Sequence, residues 1–442
     1  GLPYWTDICL LLETDLCGSP KYTNNSDIVL ALRLNPGHPN GVRIDPKSSS
    51  PAQYHTQYRQ QEQPHMKIVI APDSFKESLT AADVAQAISE GFAAVYPDAD
   101  LVRLPVADGG EGTTAALTAA TGGVIHKQAV TGPLGYPVEA FWGMLGDNRT
   151  AVIETAAASG LDLVSRDKRN PLVTTTYGTG ELIRLALDRG AEKIILGLGG
   201  SATNDGGAGL LQALGARFLD QHGQPIPPGG GGLAKLATID LCKLDPRLSK
   251  LELSVACDVD NPLLGENGAS AIFGPQKGAT PEMVQQLDLN LAHFAEQLLR
   301  TTGIDVTKTP GSGAAGGIAA VLLPFFNASL RPGIDIVLDA IGIEEHLSNA
   351  DLVITGEGRL DSQSIAGKTP VGVARRAKKF NLPVVAIAGS LATDAELVTE
   401  HGIDALFSCV PGAISLDQAM QEAFINLRNT SQNIARISQL LD

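Results

Sequence analysis

The pattern of apolar and polar positions divides the chain at Met66. Before it, Asn, Ser, Pro, Gln and His accumulate, residues 8–12 form the only apolar cluster, and 46–65 carry almost no apolar side chain. A segment so poor in apolar groups cannot bury enough surface to offset its ordering entropy, so residues 1–65 are expected to be a disordered or non-native N-terminal extension without assigned function. At Met66 the chain enters Lys-Ile-Val-Ile-Ala-Pro, a β-branched run of buried-strand type, and the folded protein is expected to start there.

From Met66 onward, strand-like and helix-like segments alternate. Strands are predicted at 67–71, 101–106, 151–154, 193–197, 253–257, 352–355, 384–388 and 405–409. A helix is predicted over 81–96, with Thr80 as cap, Asp83 reaching back to it, and Val84, Ile88, Phe92 and Val95 on one face. A second runs from Pro281 to about Arg300, with Thr280 as cap, proline at its first position and a stripe of Val284, Leu287, Leu291, Phe294 and Leu298. Alternation of this kind implies parallel sheets covered on both faces. The middle departs from it, with a hairpin-like stretch at 137–144 and a Pro- and Gly-rich stretch at 224–232. The expected fold is therefore α/β with two domains: a discontinuous Rossmann-like parallel-sheet domain (66–121 and 334–442) into which a second α/β domain (122–333) is inserted.

Composition narrows the function. The 442 residues exceed what one compact core usually serves, and no apolar run approaches the eighteen or so residues of a membrane helix, so no membrane partner is expected. A net charge of −15 argues against a nucleic-acid partner, since phosphate backbones are bound by clustered Lys and Arg. An anionic substrate must then be met by local devices such as glycine-rich amide nests, single lysines or a divalent cation. The five cysteines are scattered and frame neither a zinc site nor a disulfide set, which with the lack of a leader-like start makes a cytoplasmic location the expectation.

Candidate chemistry sits where predicted strands end. After 193–197 comes Gly197-Leu-Gly-Gly-Ser-Ala-Thr-Asn-Asp-Gly-Gly-Ala-Gly209, whose Gly199 and Gly200 let backbone amides approach a phosphate, whose Ser201 and Asn204 add polar contacts, and whose Asp205 offers a hard oxygen to Mg2+. Its plainer reading is a tight turn with close helix packing. Asp73-Ser-Phe-Lys-Glu77 contributes Ser74 and a catalytic candidate in Lys76, set against a surface lysine near a helix start. Ala107-Asp-Gly-Gly-Glu-Gly-Thr-Thr114 contributes Asp108, Gly109 and Gly110, with Glu111 also able to face a site, and its plainer reading is a capped glycine turn. In Val255-Ala-Cys-Asp-Val-Asp-Asn-Pro262 alternate carboxylates of a strand cannot both point one way; Asp258 is taken as the group that orients an attacking hydroxyl and accepts its proton. Both carboxylates capping the Asn-Pro turn is the structural alternative. Thr355-Gly-Glu-Gly-Arg-Leu-Asp361 adds Glu357, Arg359 and Asp361, and it leads to Ala366-Gly-Lys-Thr369, where Lys368 could reach a phosphate and Pro370 at a helix start gives an equally good structural account. That run is not a P-loop, because Ser362 stands where the motif requires glycine. Lys277 in Phe273-Gly-Pro-Gln-Lys277 and a further glycine nest at 311–317 complete the set.

Two rival functions remain on these residues. Gly197, Gly199 and Ala202 fit a dinucleotide fingerprint with Asp220 as ribose acid, which would make an NAD-dependent oxidoreductase, although Asp220-Gln-His-Gly-Gln-Pro looks like a turn in a hairpin. A noncatalytic small-ligand sensor would bind without turnover.

Taken in order from Ala71-Pro-Asp-Ser-Phe-Lys76 through Ala107-Asp-Gly-Gly-Glu-Gly112, the Gly197 run, Ala256-Cys-Asp-Val-Asp-Asn-Pro262 and Phe273-Gly-Pro-Gln-Lys277 to Ile354-Thr-Gly-Glu-Gly-Arg-Leu-Asp361, the chain resembles the bacterial-type glycerate kinases from Met66 to its C-terminal region. The resemblance implies two α/β domains with the active site in the cleft between them, and ATP with Mg2+ as the phosphate donor. It implies D-glycerate as acceptor, phosphorylated at the 2-hydroxyl to give 2-phosphoglycerate in glyoxylate, glycolate or sugar-acid catabolism. A homodimer is the assembly carried with it.

Overall fold

The computed structural model describes residues 66–326, 328–365 and 367–441; the expectation for residues 1–65 lies outside them. Thirteen strands appear among the described residues: β1 (Lys67–Ile70), β2 (Asp100–Arg103), β3 (Val124–Thr131), β4 (Pro137–Met144), β5 (Thr150–Glu154), β6 (Lys193–Gly197), β7 (Arg217–Leu219), β8 (Thr238–Asp240), β9 (Glu252–Ala256), β10 (Ser329–Arg331), β11 (Leu352–Leu360), β12 (Val384–Leu391) and β13 (Ala405–Ser408). One sheet, in the order β13-β12-β11-β1-β2, is parallel throughout and is built from both ends of the folded chain. The second, β10-β9-β6-β5-β4-β3, comes from the segment between them; it is parallel from β10 to β5 and antiparallel from β5 to β3. A discontinuous parallel sheet interrupted by an inserted α/β unit is the architecture the alternation implied.

Burial of the strands on both faces explains their parallel pairing. On β1, Ile68 and Ile70 pack with Val84, Ile88 and Phe92 of the helix Ala81–Ala93 and with Leu427 and Ile434 of Ala423–Leu441, whereas Val69 faces Val353, Ile334 and Val373. That second core also takes in Leu145, Val152, Ile195 and Ala256 from the inserted segment, so apolar packing is continuous between the two sheets. The helix Pro281–Thr302 has its predicted cap, with Met283 N donating to Thr280 Oγ1 at 3.3 Å, and buries Leu287, Leu291, Phe294 and Leu298.

Several bounds differ from the sequence reading. The first helix stops at Ala93 rather than Tyr96, because Pro97 follows and the amides of Val95 and Tyr96 turn back to Phe92 O. Thr80 does accept from Asp83 N, but Asp83 takes the Thr80 hydroxyl at 2.7 Å rather than the cap amide. β2 ends before Pro105. β11 continues to Leu360 through what reads as a loop, since Gly356 presents no Cβ where one would meet Ile387 O at 2.0 Å and the pairing to β12 persists as far as Leu360 with Leu391. The short strands β7, β8 and β10 and the edge strand β3 carry little apolar pattern and are not legible in the sequence. No helix among the described residues is long and apolar enough to cross a membrane.

Candidate active site

Three strand ends converge on one cavity. The loops that follow β2, β6 and β9 pack so closely that glycine is required between them: at Gly109, with φ of +90°, a Cβ would lie 2.6 Å from Ala256 Cβ and 2.9 Å from Gly333 Cα. The cavity they enclose, about 270 Å³, is lined by Asp108, Gly109, Gly110, Gly199, Gly200, Ser201, Asp258 and Lys277, together with Cys257, Phe273, Gln276 and the Ala314–Ala315 part of the third glycine nest. Eight of the sequence-derived candidates therefore share one concave site at the carboxyl ends of strands, the place where open α/β sheets bind ligands.

Asp258 lies just past β9, and its Oδ1 accepts the amide of Gly333 at 2.9 Å, the first residue of the helix Gly333–Ala340. Burial raises its carboxyl above the ordinary range, with the charges of Asp108 and Asp335 adding to it, while the Gly333 bond opposes the rise. Asp258 is itself exposed, its carboxylate open to solvent at the cavity. Asp260, two residues on, is exposed and does not line the cavity.

Lys277 is 2% exposed, and its Nζ donates to Ser201 Oγ at 2.8 Å and to Thr203 O at 2.7 Å, tying the Pro275–Lys277 turn to the glycine-rich run. Burial pulls its amine down to about 7, against the partial support of the Asp205 charge. Asp205 itself is 1% exposed and spent: Thr176 N and Thr176 Oγ1 donate to it at 2.9 Å, Gly207 N at 3.1 Å and Gly209 N at 3.2 Å. The expectation that Asp205 binds Mg2+ is corrected, because its oxygens staple two loops inside the protein and it does not line this cavity. Asn204 is likewise buried away from the cavity, with its Oδ1 accepting the Ser270 hydroxyl at 3.3 Å.

A second polar group gathers where β1 ends beside the middle of β11. Asp73 accepts from Ser74 N at 2.6 Å and Thr369 Oγ1 at 2.7 Å, and burial pushes it up to about 6, with Asp108 contributing. Glu357 accepts from Ser364 Oγ at 2.5 Å; burial pushes it up to about 7, against the neighbouring Lys368 and with the charges of Asp73 and Asp361 adding to the rise. Asp361 pairs with the exposed Arg359 at 3.5 Å. Through Asp108, whose charge acts on both Asp73 and Asp258, this group is electrostatically continuous with the cavity. Lys76 is not part of either group: Phe75 and Leu79 exchange backbone hydrogen bonds at 2.9 Å, Phe75 turns into the core, and Lys76 is left exposed. Glu111 is exposed as well.

The sequence reading passed over two acids. Asp73 lies in the run Asp73-Ser-Phe-Lys-Glu77, where Lys76 is the more conspicuous candidate. Glu154, at the end of β5, is buried and accepts from Thr114 N at 2.8 Å and Gly112 N at 3.4 Å, fixing the start of the helix Thr113–Thr121 and with it the Asp108 loop. An acidic residue closing an apolar strand was the available signal. The dinucleotide reading fails on geometry, for Asp220 Oδ1 accepts from His222 N at 2.8 Å and Gln224 N at 3.0 Å inside a tight turn, and the helix after the glycine run begins only at Ala208.

Comparison with known proteins shows the family. A model of the glycerate kinase family matches residues 68–439. The chain is 60% identical to a glycerate kinase of Bacillus subtilis (strain 168) over 370 residues, 84% of this chain and 97% of the relative. It is 57% identical to a glycerate 2-kinase of Escherichia coli (strain K12) over 370 residues, again 84% of this chain and 97% of the relative. A solved structure from Salmonella typhimurium LT2, named as a candidate glycerate kinase 2, superposes with a TM-score of 0.80 at 56% identity, covering 85% of this chain and 99% of that one.

Proposed function

The chain belongs to the glycerate kinase family and is a phosphotransferase, and from that premise we propose that it transfers the γ-phosphoryl group of ATP to the 2-hydroxyl of D-glycerate. The observation that carries the reading is one small cavity lined by a carboxylate, Asp258, a buried amine, Lys277, and glycine-rich strand ends at Gly109–Gly110 and Gly199–Gly200. Phosphoryl transfer asks for positioning and charge neutralisation more than for covalent chemistry by the protein, and these are the groups that supply both.

In the proposed step the glycerate 2-oxygen forms a bond to the γ-phosphorus, the bond from that phosphorus to the β,γ-bridging oxygen breaks, and its electron pair leaves on ADP. The hydroxyl proton passes to Asp258, whose raised proton affinity suits acceptance, and Gly333 N holds the carboxylate in place. Backbone amides of Gly199 and Gly200 are suited to the anions of the reactants. Asp73 and Glu357 are the residues that would hold Mg2+: both are carboxylates pushed up by burial, and no cation is among the groups that tune Asp73. No group of three or more His, Cys, Asp or Glu among the described residues forms a ready cage, which fits an ion that takes one or two carboxylates and completes its shell with phosphates and water. Bound there, the metal would neutralise charge on the nucleotide phosphates.

A coupled ADP-release assay across a panel of small hydroxy acids, with the product phosphate located by NMR, tests the reading. D-Glycerate should be turned over in preference to the rest, with phosphate on the 2-oxygen and loss of activity on chelation. Tight binding of acid or nucleotide without ADP release would overturn it in favour of a sensor. A cytoplasmic homodimer is part of the same proposal, and sedimentation velocity tests the assembly.

A further inference from the structure

Among the described residues Lys277 is the one lysine that is buried, and it is buried in the wall of a cavity rather than in the core. Its two acceptors, Ser201 Oγ and Thr203 O, are neutral, and it makes no ion pair among the described residues. Holding a charged ammonium in such a place is costly unless an anion joins it. The charged groups around it supply only the partial support of Asp205. Asp205, on the loop after β6, is committed to Thr176, Gly207 and Gly209; Asp108 and Asp258 line the same cavity from the loops after β2 and β9; Arg169 donates to Gln276 O at 3.4 Å on the outer side of the turn.

We propose that D-glycerate docks with its carboxylate on Lys277 and with its hydroxyl directed to Asp258. The inference rests on the glycerate kinase reading and adds the orientation of the acceptor within it. Size favours the acid over the nucleotide: a cavity of about 270 Å³ falls just below the range of about 300–1,000 Å³ that encloses a drug-sized ligand, and it is enough for a three-carbon acid. The nucleotide phosphates then fall to the Asp73, Glu357 and Lys368 side, where the divalent cation is expected. Lys277 sits near 7 in the free protein, so docking is pH-neutral well below that value and draws in a proton above it. The acid itself is anionic throughout this range.

Calorimetric titration of D-glycerate into the full chain, with and without MgADP, in buffers of differing ionisation enthalpy measures the proton directly. Uptake close to one proton at pH 8.5, falling to a small fraction at pH 6, is expected, together with a KM for D-glycerate that rises about tenfold per pH unit above pH 7 while kcat changes little. Lys277→Arg, which cannot lose its charge, should abolish both the uptake and the rise in KM; should that variant not fold, the wild-type calorimetry and KM profile decide alone. Uptake accompanying ATP rather than D-glycerate would overturn the assignment of the carboxylate. Turnover of D-glycerate with no proton uptake and a flat KM would overturn the docking mode and leave the kinase reading intact, whereas absence of turnover would overturn that reading itself.

Discussion

Gly333 donates its backbone amide to Oδ1 of Asp258 at 2.9 Å, across seventy-five positions of sequence. The donor opens the helix Gly333–Ala340, so the carboxylate lies at a helix N-terminus, where partial positive charge steadies an anion. The same helix is gripped from the other side by Arg376, which pairs with Asp335 at 3.2 Å and Asp339 at 2.9 Å. Asp258 is thus held by an element anchored to the parallel sheet while its own strand, β9, belongs to the inserted one.

Asp258→Asn keeps the shape of the side chain and an acceptor for Gly333 N but removes the proton acceptor, so kcat should fall about a hundredfold or more while the thermal melt stays close to wild type. Asp260→Asn, altering an exposed residue outside the cavity, should change kcat little. Steady-state kinetics paired with melts separates the two. An equal or larger loss in the Asp260 variant would refute the assignment.

Gly109→Ala places a methyl group 2.6 Å from Ala256 Cβ and forces an L-residue to φ of +90°. Left-handed strain costs about 1–2 kcal/mol and overpacking about 1–3 kcal/mol, so denaturant unfolding should show a loss of about 2–5 kcal/mol. Because the displaced neighbours are Ala256 and Gly333, the residues on either side of the Asp258 contact, kcat should drop as well. Retention of wild-type stability would show that the three loops can part.

The parts of this architecture that were legible are those where one physical demand fixes residue type. Ile68, Val69 and Ile70 must be apolar because both faces of β1 are covered, and Gly109 must lack a Cβ because three loops meet there. Glycine and acid at strand ends therefore led to eight residues that now line one cavity. Side-chain direction is set by the tertiary surroundings and was not legible. Asp205 reads as an exposed metal ligand until Thr176, twenty-nine positions earlier, closes over it, and Lys76 reads as a phosphate partner until the Phe75–Leu79 turn faces it outward. Asp73 becomes noticeable only when Thr369, from the far end of the chain, supplies its hydroxyl.

Lys277 also marks stability. Its folded value near 7 lies below the ordinary 10.5, so between those limits the unfolded chain binds more protons than the native one and stability rises with pH. The contribution is lost progressively as pH falls from about 10 toward 7. Lys277→Met should flatten this part of the curve of unfolding free energy against pH, leaving the acid limb unchanged. A wild-type curve without the rise would mean that the amine stays charged in the folded protein.

Asp73→Asn provides the test of where the metal is held. The amide oxygen can still accept from Ser74 N, and the amide NH2 can donate to Thr369 Oγ1, whose hydroxyl also accepts, so the loop after β1 should keep its shape. Asp73 titrates near 6 because burial and the charge of Asp108 disfavour its ionised form, which means the native protein bears that cost above pH 6 and is relieved of it by the substitution. Melting temperature at pH 7.5 should therefore hold or rise. If Asp73 and Glu357 receive Mg2+, the same variant should need at least about tenfold more magnesium for half-maximal rate, with the KM for D-glycerate little altered, since the acid docks elsewhere in the cleft. A loss expressed in KM for D-glycerate, with magnesium dependence unchanged, would move the acceptor to the β1–β11 end and the nucleotide to Lys277.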